Sequence, residues 1–235
     1  MAFTRTMGQL VGMCKRRADK ENDGQIGQTF STEWQEMISE LYGDLHAAVS
    51  QTGARYFETE ADITATGAAS YALPSAHMAT VGVDYVLDAA GRRRELGELM
   101  VQERGYFAGQ TGAACMWAFT GTNIALYPKP SSGTYKHIYV PQPTDYSAAG
   151  DGTAIDLINN DGLKFVVWGV TSIAMHKGDA DQQRAMFERD AARERLVEWA
   201  VLRALTMPKR RVVRETDLGD LAYSPAAWWR QWGVA

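Results

Sequence analysis

Polar and apolar positions fall into three regimes along the chain: helical, then alternating, then helical again. Over residues 3–17, Phe3, Met7, Leu10, Val11 and Cys14 recur at three- and four-residue spacing, which predicts an amphipathic helix. Residues 19–28 are polar, carry Gly24 and Gly27, and read as a connection. The stripe Trp34, Met37, Ile38, Leu41, Tyr42, Leu45 and Val49 predicts a second helix. Thr32-Glu33-Trp34-Gln35 would open it as a capping box and Gly53 would stop it.

From residue 54 the period changes to two, in short β-branched and aromatic runs broken by Gly, Pro, Ser and Asp. Strands are expected at residues 54–64, 78–88, 98–103, 114–120, 123–127 and 135–140. The turn-rich link Pro128-Lys129-Pro130-Ser131-Ser132-Gly133 makes the last two the expected arms of an antiparallel hairpin. Such strands suit a small sandwich or barrel, and their order stays open.

After Pro141, Pro143 and the small-residue stretch 147–153, the helical period returns. A short helix is expected at residues 155–159. A strongly apolar one follows at 163–177, with Phe165, Val166, Trp168, Val170, Ile173 and Met175, buried on more than one side and closed by Gly178. Asp179 and Gln182 offer caps for a last helix over 180–205. Its Met186, Phe187, Ala191, Leu196, Trp199, Ala200 and Leu202 are expected to face the other helices. Arg189, Asp190, Arg193, Glu194, Arg195 and Glu198 are expected to face water. The fold class is therefore α+β: a helical bundle of two N-terminal and two long C-terminal helices, an inserted antiparallel β-sandwich or barrel-like region, and an extended C-terminal tail. The expected boundaries are 1–53 for the N-terminal helices, 54–150 for the β region, 151–207 for the C-terminal helices and 208–235 for the tail.

Composition narrows the function classes. With 46% hydrophobic and 22% charged residues, the 235-residue chain has ample material for a packed core. A net charge of -4 argues against a surface that grips nucleic acid throughout. No secretory signal or membrane-length apolar run is seen, so folding in a cytoplasm is expected. Cys14 and Cys115 read as two reduced, packed thiols.

Catalytic patterns are missing from the sequence. His46, His77, His137 and His176 lack ligand spacing, and each reads best as a structural histidine. Gly91-Arg92-Arg93-Arg94-Glu95 lacks the Lys-Ser/Thr ending of a phosphate loop and reads as a charged surface. Ser70, Ser75, Ser131 and Ser132 sit in turns without a nucleophile elbow. Glu58, Glu60 and Asp62 alternate along a strand and read as a solvated face more readily than as a cation site. No catalytic residue, metal site or cofactor is assigned. Tyr106, Phe107, Trp117 and Phe119 are a candidate sugar-binding platform, though they read better as core.

The end of the chain differs from the rest. Past Pro208, Lys209, Arg210, Arg211, Arg214 and Arg230 outnumber Glu215, Asp217 and Asp220, and Trp228, Trp229 and Trp232 lie close together. Trp and Arg are the residues that most often anchor interfaces.

Several segments together resemble the head-to-tail adaptor (connector) family of tailed bacteriophages. They are the helix Ile38-Ser39-Glu40-Leu41-Tyr42, Ser70-Tyr71-Ala72-Leu73-Pro74, the extended Val81-Gly82-Val83-Asp84-Tyr85-Val86, and the segments 123–130 and 135–141. The helix pair 165–177 and 180–205 completes the resemblance, which covers residues 31–205. It implies a structural virion protein that is not an enzyme: a ring, commonly a dodecamer, joining the portal protein to downstream tail or nozzle proteins. Double-stranded DNA would pass through its centre without specific binding, and no membrane is involved. Assembly would take place in the host cytoplasm. An acidic lumen would repel the genome and so not hinder ejection. In this family the C-terminal segment commonly reaches the portal, so Arg210, Arg211, Arg214, Trp228, Trp229 and Trp232 are the expected portal contacts. The alternatives are another neck or tail-completion protein, a carbohydrate-binding module or an uncharacterised enzyme.

Overall fold

The computed structural model describes residues 3–18, 31–88, 90–177 and 182–206. In chain order the elements are β1 (Thr4–Thr6), α1 (Met7–Arg17), α2 (Ser31–Ser50), β2 (Thr59–Thr64), β3 (Tyr71–Ala72), β4 (His77–Val86), β5 (Arg93–Glu95) and β6 (Gly97–Glu98). A 3-10 helix (Val101–Phe107), β7 (Met116–Thr120), β8 (Asn123–Tyr127), β9 (Thr134–Pro141), β10 (Ala154–Asp156), α3 (Asn160–Lys177) and α4 (Gln183–Thr206) complete it. The described chain divides into a helical unit, residues 3–57 with 143–206, and a β unit, residues 58–142. The class is α+β, and neither four-stranded sheet closes into a barrel. Among the described residues no helix is long and apolar enough to cross a membrane.

In the helical unit the α2 stripe is buried in full: Trp34, Met37, Ile38, Leu41, Tyr42, Leu45 and Val49 all join one core. Met7, Leu10 and Cys14 of α1 meet it, as do Val166, Val167, Val170 and Ala174 of α3 and Ala192, Leu196 and Ala200 of α4. α3 packs against each of the other three helices, which is why it is apolar on several sides. Gly169 lets α2 come close, since a β-carbon there would stand 2.5 Å from Leu41 Cδ1.

Three expectations for this unit change. The first helix begins at Met7, not residue 3, because Thr6 caps it: its hydroxyl accepts from Gln9 N (3.3 Å) while Gln9 Oε1 accepts from Thr6 N (3.1 Å). The three residues before it form β1, which pairs antiparallel with β10. That pairing replaces the helix expected at 155–159: Ile155 and Leu157 are both buried at a spacing of two, the period of a strand. A tight turn follows in which Asp156 accepts from Ile158 N (2.9 Å), holding Ile158 at φ 68, and Asn159 Oδ1 accepts from the amides of Asp161 and Gly162 to cap α3. The third change concerns α4. Its buried line is Ala185, Ala192, Leu196 and Ala200, so Met186, Phe187 and Leu202, expected to face the other helices, are exposed.

The β unit holds two four-stranded sheets, ordered β2-β9-β4-β5 and β3-β8-β7-β6. Ile63, Val83 and Tyr135 from the first share a core with Trp117, Ile124 and Leu126 from the second. Not every pairing is antiparallel, because β6 runs parallel to β7. The chain changes sheets there: Leu96 N bonds Val83 O (2.8 Å) on one side, and Gly97 N bonds Cys115 O (3.1 Å) on the other.

The expected hairpin of β8 with β9 does not form. β8 pairs with β7 and β3, β9 pairs with β2 and β4, and residues 128–133 carry the chain between sheets. Pro128 and Pro130 have no N–H to offer a ladder. Lys129 is bound sideways, its N–H to Gln110 O (3.2 Å) and its carbonyl to Gly112 N (3.1 Å). The hairpin lies instead at the two-residue turn Gly121-Thr122, where Gly121 takes φ 62 between paired Thr120 and Asn123. Of the strand expected at 98–103 only Glu98 is in a strand, and its second half is the start of the 3-10 helix, since Val101-Gln102-Glu103-Arg104 has no period-two pattern. Residues 54–57, expected to begin a strand, belong to the helical unit, where Tyr56 OH donates to Asp156 Oδ2 (2.8 Å).

Candidate interaction surfaces

α4 displays an apolar line on the side away from its core. Phe187 is 71% exposed, Leu202 62% and Leu205 66%, with Val201 exposed between them. The acids Glu194 and Glu198 interrupt this line and are also exposed. Beside it, Arg195 Nε donates to Asp161 Oδ1 (3.0 Å) and Arg189 Nε to Asp190 Oδ1 (2.9 Å), so those charges are answered within the unit. The six expected portal contacts, Arg210, Arg211, Arg214, Trp228, Trp229 and Trp232, lie outside the described residues.

The other helical surface of note is on α1. Lys15, Arg16 and Arg17 crowd its last turn, where the helix dipole favours cations, and the helix carries no acid. Arg17 lies 4.3 Å from the centre of the Trp168 ring. A groove of about 280 Å³ on this helix is lined by Arg5, Gly8, Gln9, Gly12, Met13 and Arg16.

In the β unit the acids Glu60 and Asp62 meet cations. Arg93 holds Glu60, lowering its carboxyl below the ordinary range, and Lys136 pairs with Asp62. Exposed pairs of this kind contribute little stability. The arginine run is likewise absorbed by the fold: Arg92 pairs with Asp88, Arg93 with Glu60, and Arg94 lies over the Tyr85 ring while donating to Ala114 O (3.0 Å). Among the described residues no group of three or more His, Cys, Asp or Glu is placed to hold a metal ion.

Two of the four histidines meet, which their separation in sequence hid. The His77 and His137 rings stack 5.4 Å apart, and the Thr80 hydroxyl lies 2.9 Å from Nε2 of each. Tyr139 stacks on His137 at 5.0 Å, and the ring of Phe119 lies 6.3 Å from His77. His137 is only 1% exposed; burial, with the neighbouring His77, pushes its pKa down to about 4. One hydroxyl serving two neutral imidazoles is a structural arrangement. His46 is buried and stacks on Phe57 at 4.1 Å, while His176 ends α3 in the open. Both cysteines are buried and unpaired in disulfides, and burial raises Cys14 to about 12 and Cys115 to about 11, so neither is a nucleophile at neutral pH.

Of the four aromatics considered as a platform, Trp117 and Phe119 meet edge to face with ring centres 5.3 Å apart, and the other two lie elsewhere. Trp117 is in the β core, Phe107 packs near Tyr127 with ring centres 6.1 Å apart, and Tyr106 projects outward.

No curated protein matches the sequence. A family model does: the one described as SU10 adaptor protein matches residues 5–214, running through both units and past the end of α4. The chain therefore belongs to the SU10 adaptor protein family, a family of phage head-to-tail adaptors.

Proposed function

We propose that the chain is the ring-forming adaptor that joins the portal protein to the tail of a phage and lines the channel through which DNA leaves. The observation that carries this reading is the extent of the family match, residues 5–214, which takes in the helical unit, the β unit and the basic Arg210, Arg211 and Arg214. The net charge of -4 suits a channel wall that does not hold phosphates. Copies of the chain associate as a ring, a dodecamer by family resemblance. The ring docks on the portal through the basic, Trp-rich segment and offers its other side to tail or nozzle proteins. Within that segment Arg210, Arg211 and Arg214 supply charge, and Trp228, Trp229 and Trp232 supply apolar anchors.

The test is a pull-down on portal rings with the full chain and with a chain ending at Met207. The full chain is expected to be retained and the shortened one lost, with the shortened chain keeping the helical circular dichroism of a folded protein. Equal retention would remove the portal role from the segment, and failure of the full chain to bind would remove the adaptor reading itself.

A further inference from the structure

Resting on the ring reading, we propose which surfaces join neighbours: the outward face of α4 in one copy docks on the outward groove of α1 in a second copy. The contact is head-to-tail.

Ala185, Ala192, Leu196 and Ala200 turn inward, and the opposite side of a surface helix is ordinarily polar. Here that side carries Phe187, Ala191, Glu194, Glu198, Val201 and Leu205 at alternating spacings of four and three, the periodicity of a helix-packing seam. Phe187 lies at one end and Val201, Leu202 and Leu205 at the other, all exposed. Isolated apolar residues on a surface need no explanation, but a periodic line of them does. A purely apolar partner would bury Glu194 and Glu198 without counter-charges, at a cost of several kcal/mol per ion. The surface that covers this seam must therefore set cations among apolar contacts.

α1 presents that chemistry. Its buried line is Met7, Leu10 and Cys14, and its groove lies on the other side, walled by Arg5, Arg16 and the apolar Met13. Gly12 keeps the floor low: a β-carbon there would meet only the tip of Arg16, at 3.8 Å. Gly8 is already used within the copy, since a β-carbon there would come within 3.2 Å of Asp151, so the open approach is at Gly12. The cationic rim and apolar Met13 match the two glutamates and their apolar flanks.

A second copy is required because both helices turn their buried faces to the same core, so the two outward faces of one copy both point away from it and cannot pack on one another. Two different surfaces in contact make a heterologous interface, which repeats from copy to copy and closes into a ring when the rotation allows.

Gly12→Cys and Glu198→Cys, each in the full chain, provide the test, since Cys14 and Cys115 are buried and do not compete. Under mild oxidation an equimolar mixture is expected to give disulfide dimers of one variant with the other, while each variant alone stays monomeric on a non-reducing gel. A chain carrying both substitutions is expected to give a ladder of multimers. Adding Arg5→Glu with Arg16→Glu to the Gly12→Cys chain should abolish the cross-link. Adding Glu194→Arg to its Glu198→Cys partner should restore part of it. Sedimentation of the wild-type chain separates two failures. Self-association without the cross-link overturns this interface and leaves the ring. A monomer at every concentration, with no ring on added portal, overturns both.

Discussion

Gly43 and Gly169 sit in neighbouring helices and make opposite demands. Nothing lies within 4 Å of a β-carbon built on Gly43, whereas one on Gly169 would stand 2.5 Å from Leu41 Cδ1 and 2.9 Å from its Cγ. Gly43→Ala is expected to raise stability by up to about 1 kcal/mol through helix propensity. Gly169→Ala is expected to lower it by about 1–3 kcal/mol through overpacking. Urea unfolding midpoints of the two variants decide both. At His137 the folded-state value of about 4 lies below the ordinary 6.5. Between those values the unfolded chain binds more protons, so stability falls as pH falls from 6.5 towards 4, and above 6.5 this group adds no slope. His137→Gln is expected to flatten that limb of a stability-against-pH curve; an unchanged slope would assign the limb to other groups. The meeting of His77 with His137 was not legible in the sequence, because it depends on the register of β4 against β9 across a bulge.

Among the elements, α2 was legible because one stripe of large apolar residues had a single way to be buried, and all seven went inside. β8 was found at its observed bounds for the same local reason, yet its partner was not, since pairing depends on residues far away in the chain. The Pro-rich link after it looked like a turn, and it serves as a crossing between sheets held by residues 110–112. α4 was misread in part of its rotation: Leu196 and Ala200 went inside as expected, whereas Met186, Phe187 and Leu202 did not. Ala185, Ala192, Leu196 and Ala200 were sufficient to line its buried side, and the larger Phe187, with Leu202, drew the expected face the wrong way. The start of α1 was misplaced because a helix-period pattern ran on into β1, while the Thr6 and Gln9 cap marked the true boundary. Thr6→Ala is expected to cost about 1 kcal/mol. Hydrogen exchange should place the lost protection in the first turn of α1; loss spread evenly over the helical unit would contradict a local cap.

For the molecule as a whole, membership of an adaptor family gives the chain a structural role in a phage virion. The sequence carried that resemblance jointly across segments whose motifs were individually weak. The candidate portal contacts were legible only as composition, a basic and Trp-rich end, while the α4 seam was concealed because two of its apolar residues, Phe187 and Ala191, were assigned to the core. Separate cores also make a prediction at this scale. Trp34 is buried in the helical core and Trp117 in the β core. Trp34→Ala is expected to cost about 3–5 kcal/mol, with exchange protection lost first from α1 to α4. Trp117→Ala should instead act first on β2 to β9; identical protection maps would contradict two distinct cores. The most direct test of the adaptor role is cryo-electron microscopy of portal rings incubated with the full chain. The account predicts a continuous ring of this chain on the tail-facing end of the portal, with the DNA channel open through its centre. Bare portals in the presence of excess folded protein would contradict it.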